Sequence, residues 1–105
     1  MTQNSFETIE KEVRDLPGSY RGISEEALLT TFDDFQRIFK NLPSGKTWVE
    51  LGSGHGLGPL SFAKSFPDNK AVGIEFELAR FEASVRALEN STLTNAQFIH
   101  ADLLT

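Results

Sequence analysis

The chain has 105 residues, of which 39% are hydrophobic and 24% charged, and it contains no cysteine. This balance favours one small globular domain over a disordered chain, and the lack of cysteine excludes disulfides and thiol catalysis. No apolar run approaches the ~20 residues of a membrane span, and the polar start does not resemble a signal peptide, so we expect a cytoplasmic protein. A net charge of −5, with basic residues scattered singly, argues against a nucleic-acid partner.

The first 45 residues predict a separate helical segment, residues 1–45. Two helices are expected there, over 5–16 and 24–40, because apolar residues recur in each at helical spacing. Ser5 and Ser24 stand where N-caps are favoured.

From residue 46 onward, short apolar segments alternate with helical patterns. The order β-α-β-α-β predicts right-handed crossovers and a parallel sheet, which is an α/β domain over residues 46–105. In the second helix of this domain, Leu78, Phe81, Val85 and Leu88 share one face, which we expect to face the core. The expected elements are strands at 47–51, 71–75 and 96–101 and helices at 59–66 and 77–89.

A glycine-rich segment follows the first expected strand, with the pattern Glu50-x-Gly52-x-Gly54-x-Gly56. Glycine allows tight turns and lets a ligand approach the main chain closely. The N-terminus of the next helix adds free N–H groups. The spacing therefore predicts a ligand-binding loop between strand and helix.

An acid stands near the end of each expected strand: Glu50, Glu75 and Asp102. In an open α/β sheet the ligand crevice lies at the carboxyl ends of the strands, so we expect the three carboxylates to converge there. Such a crevice favours a ligand that offers hydrogen-bond donors or positive charge. No cluster of His, Asp and Glu has convincing metal-ligand spacing, and no metal is expected.

The ligand that fits these features best is S-adenosylmethionine, which has a sulfonium, an ammonium, a ribose diol and an adenine amine. A dinucleotide fingerprint needs a third glycine where this chain has Leu57 or Pro59, and a Walker loop needs a glycine where it has Lys40. A nicotinamide dehydrogenase is therefore the less favoured alternative.

Three segments in order, VELGSGHG, GIEFE and HADLL, resemble the class I S-adenosylmethionine-dependent methyltransferases over residues 47–105. The resemblance implies a three-layer, Rossmann-like parallel sheet, with this chain supplying the first three of seven strands after the two helices. It assigns the methionine part to Glu50 and the loop, the ribose to Glu75, and the adenine to Phe76 and Asp102. The cofactor-binding residues implied are Glu50, Gly52, Ser53, Gly54, Gly56, Glu75, Phe76, Asp102 and Leu103.

The same resemblance leaves the methyl acceptor unidentified. The family's catalytic motif follows a fourth strand that is absent here, so no catalytic residue is assigned and we expect poor turnover from these 105 residues alone. A weaker resemblance, to lysine methyltransferases of the disruptor-of-telomeric-silencing type, involves Tyr20 to Ser24 and suggests protein lysine as the acceptor. The alternative function is a non-catalytic S-adenosylmethionine-binding module that acts through a partner or a second copy.

The first strand, Thr47–Leu51, is expected at the edge of the three-stranded sheet, although the family places it centrally. Its sequence TWVEL is apolar and has no proline, so the edge is unprotected. We therefore expect it to pair with a second copy or with the C-terminal half of a longer enzyme.

Overall fold

The computed structural model describes residues 11–13, 15 and 37–104. Residues 11–13 and 37–39 are helical, but most of the two helices predicted over 5–16 and 24–40 lies outside the described residues, as do Tyr20 and Ser24. The proposed domain boundary at residues 45 and 46 stays a prediction. The elements are β1 Thr47–Leu51, α1 Leu57–Ser65, β2 Lys70–Glu75, α2 Leu78–Glu89 and β3 Ala96–His100.

The three strands form one parallel sheet in the order β1-β2-β3, so β1 lies at an edge. Trp48 pairs with Ala71, and Ala71 pairs with Ala96, which sets the register across the sheet. The α/β fold and the strand order are confirmed. The observed bounds differ from the predicted ones by at most two residues, and those of β1 agree at both ends.

Both helices pack on the same face of the sheet. On α1, Phe62 stacks on Trp48 of β1 with ring centroids 5.0 Å apart, and Ala87 of α2 belongs to a buried cluster against which Phe98 of β3 packs. Burial of these apolar groups is the main source of stability for such a layer. The described residues therefore supply the sheet and one helical layer.

The opposite face of the sheet is largely bare among the described residues. Val49 and Leu51 of β1 are 48% and 64% exposed, and Ile99 of β3 is 38% exposed. Alternation along the strands places these three side chains on the face away from α1 and α2.

The face of α2 that contacts the core overlaps the predicted one only in part, since Leu88 packs against the buried cluster as predicted. The buried residues are Ala83, Ser84 and Ala87, whereas Leu78 is 53% exposed. Small side chains let the helix approach the sheet and the glycine loop, where larger ones would collide. Leu78 is the first residue of α2 and lies outside that contact.

Asparagines secure the amino-terminal end of the sheet. The side-chain amide of Asn95 donates to the carbonyls of Ala63, Phe66 and Asn69, over 2.8–3.3 Å. Asn69 in turn accepts from the N–H of Lys46 at 2.7 Å. These bonds tie the end of α1 to the residues that precede all three strands.

Among the described residues, no helix has the length and apolar character needed to cross a membrane.

Candidate functional site

The glycine loop joins β1 to α1 and folds back on β2. Gly52, Gly54 and Gly56 have φ of 72°, 60° and 91°, in the left-handed region that other residues adopt only with strain. The N–H groups of Gly52 and Ser53 both donate to the carbonyl of Ile74, at 2.7 and 3.0 Å. The predicted loop is thus present, and β2 fixes its entry.

Two glycines also leave room for neighbouring side chains. A Cβ on Gly56 would come within 2.8 Å of both Phe98 and Ser84, so this residue lets the loop contact α2 and β3. A Cβ on Gly58 would collide with the carboxylate of Glu50. Sequence reasoning did not single out Gly58, and only its position beside Pro59 in the first turn of α1 gave a signal.

The carboxylate of Glu50 lies against the first turn of α1. Burial removes water from this group and raises its pKa from 4.5 to about 7. Among the described residues, no donor forms a hydrogen bond with it that would offset this loss. A cationic group placed beside Glu50 would restore the charged form, so the site suits a positively charged ligand.

Glu75, at the end of β2, is 3% exposed and joins two loops. Its Oε1 accepts from the N–H of Gly54 at 2.7 Å, and its Oε2 accepts from the N–H of Glu77 at 3.0 Å. Each carboxylate oxygen retains a second acceptor site. Its predicted contact with a ribose stays a prediction, and in this structure the side chain orders the glycine loop.

The hydroxyl of Ser53 faces the sheet and not the crevice. Its Oγ is buried against Gly73 and has no hydrogen-bond partner among the described residues. Any contact of Ser53 with a ligand would therefore use other atoms of the residue.

A cavity of about 350 Å³ opens at the carboxyl ends of the three strands. Its walls are mainly apolar, and the one acid among them is Asp102, whose Oδ1 accepts from the N–H of Leu104 at 2.9 Å. The ring of Phe76 is 63% exposed there and offers a flat surface to a heterocycle. The lining residues are Leu51, Gly52, Ile74, Phe76, Ala101, Asp102, Leu103 and Leu104.

The predicted site residues therefore form two adjoining groups. Gly52, Phe76, Asp102 and Leu103 line the cavity, while Glu50 and Glu75 flank the glycine loop next to it. Gly52 belongs to both groups. The arrangement provides an acidic cradle beside an apolar slot, which suits a ligand with a cationic end and an aromatic end.

Comparison with known proteins agrees with this geometry. Residues 44–105 match a family described as "Putative methyltransferase". The chain belongs to this family. The match covers the whole α/β domain, including the glycine loop and the cavity.

Two similar curated proteins are tRNA (guanine-N(7)-)-methyltransferases. The one from Levilactobacillus brevis is 34% identical over 55 residues, covering 52% of this chain and 26% of the relative. The one from Wolinella succinogenes is 33% identical over 58 residues, covering 55% of this chain and 15% of the relative. The matched region thus spans about a quarter or less of either relative.

Solved methyltransferase structures share the fold. Coclaurine N-methyltransferase, bound to N-methylheliamine and S-adenosylhomocysteine, superposes with a TM-score of 0.66 at 14% identity, over 96% of this chain and 36% of the other. A putative protein-L-isoaspartate O-methyltransferase from Plasmodium falciparum, in complex with S-adenosyl-L-homocysteine, gives 0.61 at 14% identity, over 96% and 65%. The Rossmann-like methyltransferase fold is therefore confirmed.

Proposed function

We propose that this chain is the cofactor-binding part of an S-adenosylmethionine-dependent methyltransferase that methylates N7 of a guanine in tRNA. Membership of the methyltransferase family supports the reaction class, and the two relatives from Levilactobacillus brevis and Wolinella succinogenes support the acceptor. The observation on which the proposal depends most is the half-buried carboxylate of Glu50, which lies against Gly58 at the start of α1, beside the glycine loop.

The site fits the cofactor at both ends. Glu50 would face the ammonium or sulfonium of the methionine part, and the loop around Gly54 would lie along its chain. Phe76 would stack on the adenine, and Asp102 would accept from the adenine amine. The bound cofactor would supply an electrophilic methyl group, and these residues would hold it in line with the acceptor.

Methylation of the proposed acceptor requires no acid or base catalyst from this part of the protein. N7 of a neutral guanine has a lone pair and no proton, so its methylation requires no general base. Positioning of donor and acceptor is then the main contribution to rate. This chemistry agrees with a cofactor site to which we assign no catalytic residue.

The acceptor proposed here differs from two expectations based on the sequence. Protein lysine was suggested by a weaker resemblance, whereas the matched relatives both name tRNA. The net charge of −5 argued against nucleic acid, but it is a property of these 105 residues alone. The parts of the chain that match the two relatives, 55 and 58 residues long, span only 26% and 15% of those proteins. The charge of this segment therefore does not decide the charge of an RNA-binding surface elsewhere.

Binding is tested first, by calorimetric titration of the full-length protein with S-adenosylmethionine. Glu50→Gln removes the charge and is expected to weaken S-adenosylmethionine binding about ten-fold or more, as loss of a charged hydrogen-bond partner does. Glu82→Gln makes the same change at an exposed position on α2 and should leave affinity unchanged. Equal affinity in all three proteins would contradict the proposed role of Glu50.

Transfer is tested next, with radiolabelled S-adenosylmethionine and unmodified tRNA. Digestion of the product to nucleosides should give 7-methylguanosine. Cofactor binding without transfer to tRNA, protein or small molecules would instead support the non-catalytic binding module.

A further inference from the structure

His100, the last residue of β3, contacts two other elements with its ring. Its Nε2 lies 3.0 Å from the carbonyl oxygen of Phe76, and its ring stacks on Phe81 of α2 with centroids 5.3 Å apart and planes 26° apart. Because a carbonyl oxygen only accepts, Nε2 is the protonated nitrogen and donates. The imidazole thus joins the ends of β2 and β3 to the first turns of α2.

This bond lies where the backbone ladder between β2 and β3 ends. Glu75 pairs with His100 in the register, and the N–H of Ala101 donates to the carbonyl of Glu75 at 3.1 Å. Phe76 is the next residue, beyond the last strand pair. The side chain of His100 therefore supplies a hydrogen bond to Phe76 where the ladder no longer does.

The ring of Phe76 is exposed beside the cavity, so packing contacts alone do not hold it in place. Its position therefore depends on the backbone at residue 76. Its other neighbour in the chain, Glu77, is held by the bond from its N–H to Glu75. With His100 on the carbonyl of Phe76, the segment is fixed on both sides of that residue. The backbone so fixed sets the direction of the Cα–Cβ bond of Phe76 and therefore the region beside the cavity that its ring can reach.

We propose that His100 is a positioning residue, which holds the ring of Phe76 at the cavity so that the ring stacks on the base of an adenine nucleoside. The inference rests on the proposed function, because it takes S-adenosylmethionine or S-adenosylhomocysteine as the ligand. His100 itself touches no ligand and acts through Phe76. Its hydrogen bond is exposed, so its loss should affect this local arrangement more than global stability.

The test is calorimetric titration of the full-length protein with S-adenosylhomocysteine. His100→Ala should weaken binding about five-fold, as loss of one such hydrogen bond does. His100→Gln should restore most of the affinity, because the Gln amide nitrogen lies near the position of Nε2. Gln97→Ala, at an exposed position on the same strand, is the control and should bind like wild type.

A double-mutant cycle with Phe76→Leu separates positioning from a merely structural role. If His100 acts through Phe76, His100→Ala has no further effect on affinity once the ring is removed. An undiminished five-fold effect in the Phe76→Leu background would overturn the inference, as would wild-type affinity in His100→Ala. Failure of the wild-type protein to bind would instead overturn the proposed function, and this inference with it.

Discussion

The two ends of the parallel sheet differ in whether their polar groups have hydrogen-bond partners. At the amino-terminal end, one amide, that of Asn95, donates to three carbonyls, and Asn69 accepts a backbone N–H. At the carboxyl-terminal end, Glu50 is desolvated without a compensating hydrogen bond among the described residues, and the Oγ of Ser53 has no partner there. Apolar side chains such as Phe76 are also exposed at this end.

This difference indicates that the amino-terminal end of the sheet contributes to stability, whereas the carboxyl-terminal end is suited to binding a ligand. Polar groups withdrawn from water are ordinarily hydrogen-bonded, so the unpaired carboxylate of Glu50 indicates a ligand at this end. Ser53 does not add to this argument, because its Oγ faces the sheet. The same comparison predicts that mutations at the two ends have opposite effects. Changes at the amino-terminal end should lower stability alone, and changes at Glu50 should trade stability against binding.

The largest effect is expected at Asn95. Asn95→Ala leaves three carbonyls without their shared donor and should lower the free energy of unfolding by about 3 kcal/mol. Affinity of the folded protein for S-adenosylhomocysteine should not change. Urea unfolding and calorimetric titration measure the two quantities.

Asn90→Ala is the matched control for Asn95. Its side-chain amide makes one exposed bond, to the carbonyl of Arg86 at 2.8 Å, and its loss should cost less than about 1 kcal/mol. If Asn95→Ala weakened ligand binding in the folded protein, the separation between the two ends would fail.

The next effect is a gain in stability. The pKa of Glu50 is 4.5 when unfolded and about 7 when folded, so the folded protein binds more protons between these values. Stability therefore falls as pH rises from 4.5 through 7. Glu50→Gln cannot ionise, and it should raise the free energy of unfolding at pH 8 by up to about 3 kcal/mol.

The measurement is urea unfolding of the wild type and of Glu50→Gln from pH 4 to pH 8. The two curves should converge below pH 4.5 and separate toward pH 8. Affinity of the wild type for S-adenosylmethionine should rise over the same range, since a cationic ligand needs the ionised carboxylate. A constant difference in stability across the range would contradict the assigned pKa shift.

The smallest effect concerns the bare face and the edge at β1. We propose that a second copy of the chain covers this surface when the 105 residues are studied alone, because Val49 and Leu51 are exposed there. Val49→Lys should shift sedimentation equilibrium toward monomer, whereas Gln97→Lys on β3, already polar, should not. A wild-type monomer at all concentrations would contradict this proposal.

Much of the domain could be predicted because its signals are local. Thr47–Leu51 combines β-branched and aromatic residues directly before a run of glycines, and no competing pattern overlaps it. The glycine loop could be predicted equally well from its local sequence. Three of its glycines adopt φ values that other residues avoid. Strand direction predicted acids near the carboxyl ends of the strands, but the convergence of all three carboxylates stays a prediction, since only Asp102 of the three lines the cavity.

What the sequence did not reveal depends on contacts between distant segments. The role of Gly58 requires that Glu50 fold over α1, and the burial of Ser84 requires that α2 approach Gly56. Asn95 stands in the short segment between α2 and β3, and its side chain bonds to residues 26 to 32 positions earlier. Spacing within one helix or strand contains no information on such approaches.

The two backbone bonds to Glu75 also have a thermodynamic consequence. Because one carboxylate holds the amides of Gly54 and Glu77, the loop and the start of α2 are fixed by hydrogen bonds within the protein. A ligand that enters there has little chain to order, so the loss of conformational entropy is small. Titrations at several temperatures would then give a heat-capacity change that reflects only the apolar area covered by the ligand.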